Sequence, residues 1–326
     1  MLKIKYVIFT IIVTLLGFEL SSCNGDGSGG SMPNTTYAYI ANYGNSYTKC
    51  MIVPNTKLLF NCETAETGAD KIDKSFGIAS YNGKMYITNE ALGGSYTKCN
   101  INAINGKLND CTTSLLYSGE LQDPAAITIN NNFAYIIDEV ESGAYTQCTV
   151  DNVTGDLSNC HKDTTKNLVY PSGVAINNNY IYITNANVIG TYTKCQLDSV
   201  TGDLSECKEI SPEQQNIFSY PGQITFYNNY AYITNETVNG SYTKCGIDTS
   251  TGELINCSNI PVTGTVYPSG IAIMDGIAYI TNGNQTGSYT ICSVSSIDGT
   301  LTNCSTSTPS GIGEYPNSIV LVNSSK

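Results

Sequence analysis

Tyr170-Pro-Ser-Gly-Val-Ala-Ile-Asn177, Asn179-Tyr-Ile-Tyr-Ile-Thr-Asn185, Gly190-Thr-Tyr-Thr-Lys-Cys-Gln-Leu-Asp198 and Thr201-Gly-Asp-Leu-Ser-Glu-Cys207 follow one another with short connections. Each run is rich in β-branched and aromatic residues and is bounded by Gly, Pro, Asn or Asp, which reads as four short strands. The second run is apolar on both faces, as a strand covered on both sides must be. Six cysteine pairs mark the same unit along the chain: Cys50/Cys62, Cys99/Cys111, Cys148/Cys160, Cys195/Cys207, Cys245/Cys257 and Cys292/Cys304. The first cysteines of successive pairs lie 47 to 50 residues apart.

Four strands in a repeat of that length predict an all-β fold, a β-propeller with four-stranded blades. The ends of the chain set the blade count. The N-terminal unit begins with a second strand, Tyr37-Ala-Tyr-Ile-Ala-Asn42, and the C-terminal unit supplies only a first strand, Tyr315-Pro-Asn-Ser-Ile-Val-Leu-Val-Asn323. One C-terminal strand joining three N-terminal strands makes a composite blade, and five complete blades bring the total to six. Such closure leaves the ring no open seam. The propeller is expected over residues 35–324.

Tyr86-Ile-Thr-Asn89, Tyr182-Ile-Thr-Asn185, Tyr232-Ile-Thr-Asn235 and Tyr279-Ile-Thr-Asn282 resemble the YVTN-type β-propeller repeat, with Tyr39-Ile-Ala-Asn42 and Tyr135-Ile-Ile-Asp138 as degenerate copies. The Gly-x-Leu hairpin that follows is similar to that of lactonase-like propellers. The resemblance spans Thr35 to Asn323 and implies the fold; propellers host unrelated functions, so it implies activity only weakly.

Lys3 and Lys5 precede an apolar run from Tyr6 to Phe18, so residues 1–22 read as a signal peptide. Leu20-Ser21-Ser22-Cys23 resembles the lipobox of bacterial lipoproteins, which implies that Cys23 is acylated and becomes the first residue. Residues 23–34 are then a lipidated cysteine and a flexible Gly- and Ser-rich tether. The expected location is extracytoplasmic, attached to a membrane through the lipid alone. Asn24 after the cysteine points to the outer membrane in a Gram-negative host.

In an exported chain the twelve paired cysteines are expected as six local disulfides, one across each outer hairpin. Cys195 and Cys207 are symmetric about Thr201, which places them opposite each other across a three-residue Val200-Thr201-Gly202 turn. Closing a loop of this size contributes about 3 kcal/mol at most. The rival reading, a thiolate metal cluster, is disfavoured by the wide spacing and by the single histidine, His161. The first unit has Pro54-Asn55-Thr56 in place of the glycine turn.

Composition removes several classes of function. The net charge is −12, all fifteen basic residues are lysines, and there is no tryptophan. A strongly acidic chain without arginine is a poor ligand for nucleic acid. Phosphosugar lactonases would want cationic groups at the phosphate, and this chain has no arginine; no catalytic elbow, phosphate loop or zinc motif occurs. No catalytic residue, cofactor or metal is expected.

Two repeated sets fall in the loops of one face. Tyr170, Tyr220, Tyr267 and Tyr315 precede first strands, with Asp123-Pro124 and Ser75-Phe76 as variants; Asn42, Asn89, Asp138, Asn185, Asn235 and Asn282 end second strands. Glu90, Glu139, Glu141 and Glu236 stand beside the second set. Regular repetition is what structural roles predict, so the residues that break it, Glu90, Asp138, Glu139 and Glu236, are the candidate ligand contacts together with the four tyrosines. A further stripe, Tyr47/Lys49, Tyr96/Lys98, Tyr192/Lys194 and Tyr242/Lys244, is expected to pack with its amines in solvent. The functional expectation is a monomeric, non-catalytic module that binds a protein or glycan at the cell envelope. Alternatives are a lactonase-like hydrolase using carboxylates of this face, and a structural envelope protein without a specific ligand.

Overall fold

A computed structural model describes residues 35–65, 72–90, 94–115, 121–187, 189–211 and 217–323, without the side chains of 165–167. The signal peptide, Cys23 and the whole of the tether lie outside the described residues. The rest is a closed six-bladed propeller. Blade one is β1 (Thr36–Asn42), β2 (Ser46–Ile52) and β3 (Leu59–Ala65), joined by β24 (Pro316–Asn323). Blade two is β4 (Ser75–Tyr81), β5 (Lys84–Asn89), β6 (Ser95–Ile101) and β7 (Leu108–Leu115). Blade three is β8 (Pro124–Asn130), β9 (Phe133–Asp138), β10 (Gly143–Val150) and β11 (Leu157–Leu168). Blade four is β12 (Pro171–Asn177), β13 (Tyr180–Asn185), β14 (Thr191–Leu197) and β15 (Leu204–Ile210). Blade five is β16 (Pro221–Tyr227), β17 (Tyr230–Asn235), β18 (Ser241–Ile247) and β19 (Leu254–Pro261). Blade six is β20 (Pro268–Met274), β21 (Ile277–Asn282), β22 (Ser288–Val294) and β23 (Leu301–Ser307). The expected closure is borne out: β24 pairs with β1 from Thr36↔Asn323 to Asn42↔Pro316.

The second strand of every blade is buried on both faces because neighbouring blades sandwich it. Its tyrosine also carries a polar task. Tyr39, Tyr86, Tyr135, Tyr182 and Tyr232 donate their hydroxyls to Gly106, Gly155, Gly202, Gly252 and Gly299 carbonyls of the next blade's hairpin, at 2.6–2.8 Å. Tyr279 completes the circle by donating to the Lys57 carbonyl at 2.8 Å. Third-strand tyrosines work in the other direction: Tyr192 and Tyr242 accept the Leu254 and Leu301 N–H groups. The threonine of the repeat bridges blades as well. Thr88, Thr184, Thr234 and Thr281 donate to carbonyls of Ala125, Gly222, Ser269 and Asn317.

The lysine stripe departs from expectation. Its amines are not left to solvent: Lys49, Lys98, Lys194 and Lys244 donate to the Asn105, Thr154, Thr251 and Asp298 carbonyls of the following blade. Lys194 and Lys244 also stand over the Tyr180 and Tyr230 rings, 4.7 and 4.9 Å from their centroids. A turn carbonyl within reach, over an aromatic face, holds an ammonium more firmly than free rotation in water.

All six disulfides form in the expected pairs. Cys50 bonds Cys62, Cys99 bonds Cys111 and Cys148 bonds Cys160. Cys195 bonds Cys207, Cys245 bonds Cys257 and Cys292 bonds Cys304. The expectation that the partners stand directly opposite each other in an undisturbed hairpin is corrected. In blade four the pairs near the turn are Leu197↔Leu204 and Gln196↔Ser205, a register that would set Cys195 against Glu206. Beyond a bulge the pairing resumes at Lys194↔Lys208, so Glu206 is the extra residue and Cys207 swings onto Cys195.

The other five hairpins shift in the same way, and their pairing resumes just past the second cysteine. Cys62, Cys111 and Cys160 are followed by Lys49↔Glu63, Lys98↔Thr112 and Gln147↔His161. Cys257 and Cys304 are followed by Lys244↔Ser258 and Ile291↔Ser305. Each second cysteine is therefore brought to its partner by a bulge, not by symmetry about the turn. The first cysteines are buried on third strands, whereas Cys62, Cys160, Cys207, Cys257 and Cys304 are only half-buried on outer strands; Cys111 alone among the second cysteines is buried.

The residue before each second cysteine is left-handed: Asn61, Asp110, Asn159, Glu206, Asn256 and Asn303 have φ of 49–51°. Asn and Asp tolerate that conformation best after glycine, which explains five of the six. The turn itself is longer than three residues, running from Asp198 to Asp203. The Asp198 carboxylate accepts the Val200 and Thr201 N–H groups, and Gly202 takes the left-handed position at φ 77°. In blade one Lys57 fills that position at φ 61°.

Glu206 is the one longer side chain at the bulge. Glu206→Asn should therefore stabilise the protein by up to about 1 kcal/mol, read as a higher urea midpoint at unchanged slope with the disulfides intact. An unchanged midpoint would mean that the bulge carries no strain there.

Candidate functional site

The loops that close each blade on one face are built on a single backbone bond. The residue after each second strand donates its N–H to the carbonyl of the residue before the first strand of the same blade. The pairs are Tyr43 to Tyr315, Glu90 to Lys74, Glu139 to Asp123, Ala186 to Tyr170, Glu236 to Tyr220 and Gly283 to Tyr267, at 2.7–3.1 Å. Two rings of equivalent positions result, and their occupants divide the face. Blades one, four, five and six contribute Tyr315, Tyr170, Tyr220 and Tyr267, each 40–45% exposed. All four are left-handed at φ 48°, immediately before Pro. A bulky residue adopts that conformation only under constraint. Here it turns the ring outward, so these tyrosines stand on the surface rather than between blades.

Blades two and three replace tyrosine with Lys74 and Asp123, and blades two, three and five follow their second strands with Glu90, Glu139 and Glu236. The expected carboxylates Glu90, Glu139 and Glu236 are thus brought to one face, and Asp123 joins them. Burial pushes the Glu139 carboxyl up to about 8, reinforced by the charges of Glu236, Asp123 and Glu90. Burial alone raises Glu236 to about 7. Asp123 rises to about 6 through burial first, then Glu90 and Asp138, against the opposing pull of Lys74. The Glu236 carboxylate lies over Gly222, where an added Cβ would stand 2.5 Å from its Oε1. Glycine at 222 is what admits the carboxylate to the axis of the ring.

That axis is nearly closed. Phe76, Ala125, Ser172, Gly222, Ser269 and Ser318, one from each blade, line a channel with about 20 Å³ of free space, room for roughly one water molecule. Anything larger must bind above it, among the carboxylates and tyrosines. Lys74, a cation among the described residues of the face, is engaged: it donates to Glu90 at 3.1 Å and lies 5.9 Å from the Tyr43 ring centroid.

Asp138 does not join the site. It is fully buried inside blade three, accepting the Gln122 and Asp123 N–H groups at 2.9 and 2.6 Å and pairing with Lys162 at 2.8 Å. It occupies the place where Asn42, Asn89, Asn185, Asn235 and Asn282 use their amides to reach third-strand hydroxyls, such as Thr97 and Thr243. A carboxylate offers no N–H there, and the Thr146 hydroxyl opposite it has no partner. The asparagine ring is turn-capping structure, and Asp138 is a variant of it. His161 is exposed on outer strand β11, away from this face. Among the described residues no group of three or more His, Cys, Asp or Glu is arranged to hold a metal ion.

Sequence reading gives Asp123 only as a variant of the tyrosine position and sets Ser75-Phe76 in that register, where the structure places Lys74-Ser75. The signal was present, because Asp123 and Lys74 both stand in the register of the tyrosines that precede first strands, but burial beside Glu139 is not visible from the register.

No family model matches the sequence, and no curated protein does. Solved structures do. A candidate 6-phosphogluconolactonase from Bacteroides uniformis superposes with a TM-score of 0.63 at 10% identity, over 89% of this chain and 100% of that one. The periplasmic gluconolactonase of Pseudomonas aeruginosa gives 0.59 at 9% identity, over 88% and 99%. A chain of a nidogen/laminin complex gives 0.62 at 13% identity, over 88% and 98%. At these identities the likeness is one of fold. It nevertheless corrects the expectation that the chain is not an enzyme. Similar folds carry proteins named as lactonases, and the expectation rested on missing histidine and arginine chemistry while this face concentrates carboxylates with raised proton affinity.

The blade-three substitution has a measurable consequence. Lys162→Met should cost about 3 kcal/mol by leaving a buried carboxylate unpaired. Adding Asp138→Asn should recover most of that loss, because an amide can both accept the two N–H groups and donate to Thr146. Urea unfolding of the two variants checks this; a double variant no more stable than Lys162→Met would refute the assignment.

Proposed function

We propose that this propeller is a hydrolase of lactones or related sugar esters, with Glu139 and Glu236 as its acid–base pair. The observation that carries the reading is the set of carboxylates from blades two, three and five, Glu90, Asp123, Glu139 and Glu236, at a face where the positions equivalent to the glutamates hold Tyr43, Ala186 and Gly283 in the other blades. Lactone opening needs a base to take a proton from attacking water and an acid to protonate the departing oxygen. Two carboxyls titrating near neutrality as a coupled pair supply both. Burial raises both, Glu236 to about 7 and Glu139 to about 8, so near neutral pH one member of the pair can act as base while the other keeps its proton as acid. The lactonase names of the similar rings support the same reading. The exposed tyrosines offer flat apolar surfaces against which a sugar ring can stack. With Lys74 tied to Glu90, an unphosphorylated lactone suits the face better than a phosphorylated one.

A second reading, recognition of a protein or glycan chain on this same face, is favoured by the tyrosine arc extending beyond the carboxylates. For location, the six disulfides suit an oxidising extracytoplasmic compartment. Attachment through an acylated Cys23, at the outer membrane of a Gram-negative host, is the accompanying proposal.

Purified protein is expected to hydrolyse glucono-1,5-lactone above the spontaneous rate, and 6-phosphogluconolactone less well. Glu139→Gln and Glu236→Gln should each lower the enzyme-dependent rate by about 100-fold or more. Absence of turnover, or turnover indifferent to both substitutions, would overturn the proposal. Stability provides an independent readout. The folded carboxyls bind protons more tightly than at their ordinary value of 4.5. Their contribution is therefore full below that value and is lost as pH rises through about 7 and 8. The urea midpoint should fall between about pH 4.5 and 8 in the parent protein and fall less in Glu139→Gln/Glu236→Gln.

A further inference from the structure

Four aliphatic side chains stand almost free in solvent at one position of the repeat. Ile104, Val153, Val200 and Ile297 occupy the middle of the outer-hairpin turns of blades two, three, four and six, 73, 86, 83 and 93% exposed. Blades one and five have Asn55 and Ser250 there. Single apolar residues scattered on a surface need no explanation. Recurrence at one turn position, among Asp, Asn, Thr and Gly neighbours, is a pattern.

The turns that carry them are held rigid. The N–H groups of Ile104, Val153, Val200 and Ile297 each donate to the side chain two residues earlier, at 2.7–3.3 Å. The preceding blade's tyrosine hydroxyl binds the glycine carbonyl at the base of each turn. The side chains therefore project as fixed studs. They lie at the end of the ring opposite the carboxylates, because third strands run away from the loop face toward these turns. The chain enters the ring at the same end. Thr36 opens β1 there, and the ring of the adjacent Tyr37 packs on Gly106 in the Ile104 turn, where an added Cβ would stand 2.8 Å from it. Thr35, the first described residue, thus lies at the stud-bearing end.

We propose that this end docks on a lipid bilayer, its four aliphatic tips dipping into the headgroup layer, with the carboxylate face turned away from the membrane. Separate studs divided by polar turns suit individual insertion among lipids. A partner protein would need a contiguous packed patch. The stud-bearing turns carry Asp151, Asp198 and Asp298, the nearby ammoniums of Lys49, Lys98 and Lys244 are engaged by turn carbonyls, and the chain has a net charge of −12. Attachment is accordingly apolar and strongest on zwitterionic lipid. The inference stands independently of the hydrolase reading.

The test uses residues 34–326, which contain all six blades and their closure, so that neither the signal peptide nor a lipid contributes. The chain has no tryptophan, so Val200→Trp is a unique reporter. With phosphatidylcholine vesicles its emission should shift to the blue and be quenched by brominated lipid, while Tyr220→Trp on the opposite face should not respond. Replacing Ile104, Val153, Val200 and Ile297 together by serine should lower vesicle partitioning at least tenfold. Adding phosphatidylserine should weaken binding. No response of Val200→Trp, an equal response of Tyr220→Trp, or tighter binding to anionic vesicles would overturn the proposal. So would a concentration-dependent blue shift without vesicles, since a second copy would then be the occupant.

Discussion

Six tyrosine hydroxyls, each reaching out of its own blade to a turn carbonyl of the next, link the sheets of this protein into a circle. A tyrosine in the middle of a fully covered strand brings both apolar area and one polar atom that must be satisfied. The geometry that satisfies it fixes the distance and tilt between neighbouring blades. Because Tyr279 finds the Lys57 carbonyl as readily as Tyr182 finds that of Gly252, the last blade meets the first under the same rule. Ring closure is then the sixth instance of a repeated contact, with β24 pairing on β1 completing it through the backbone.

Once that contact is repeated, most of the conspicuous sequence regularity is spent on structure. The threonine of the repeat bonds the next blade, the asparagine caps its own loop, and the lysine holds the neighbouring turn. The disulfides fasten each outer hairpin at a left-handed bulge. Function is left to positions where one blade differs from another without a structural need. Asp138 shows that difference alone is insufficient: it breaks the asparagine ring, yet Lys162 compensates it inside the same blade. Glu139 and Glu236 break the pattern, and neither has an ion pair with a lysine among the described residues.

This explains why the fold was legible in the sequence and the site only partly so. Strand number, blade number, closure and disulfide pairing all follow from counting turn residues and cysteines, since each is a one-dimensional consequence of the repeat. The bulge was not countable. It needs one extra residue in one strand, and only the preference for Asn or Asp before the second cysteine hints at it. The site posed a harder problem. Adjacent residues Asp138 and Glu139 have the same chemistry, but Asp138 ends strand β9 and turns into the blade, while Glu139 opens the loop and is placed on the face. The four loop tyrosines were found by register, whereas their outward direction depends on a left-handed backbone that the Tyr-Pro sequence disfavours.

The rigidity of the ring bears on how such a site can work. Carboxyls hold a raised proton affinity only if water and counter-ions cannot relax toward them. On a free loop, Glu139 and Glu236 would turn to solvent and titrate ordinarily. Here the residue bearing each is tied by its own N–H to Asp123 and Tyr220, and Gly222 lets one carboxylate approach an axis with space for little more than a single water. The site therefore draws its chemistry from the closed circle beneath it. A propeller of six nearly equal blades can hold unequal charges in place because the equal parts do not yield.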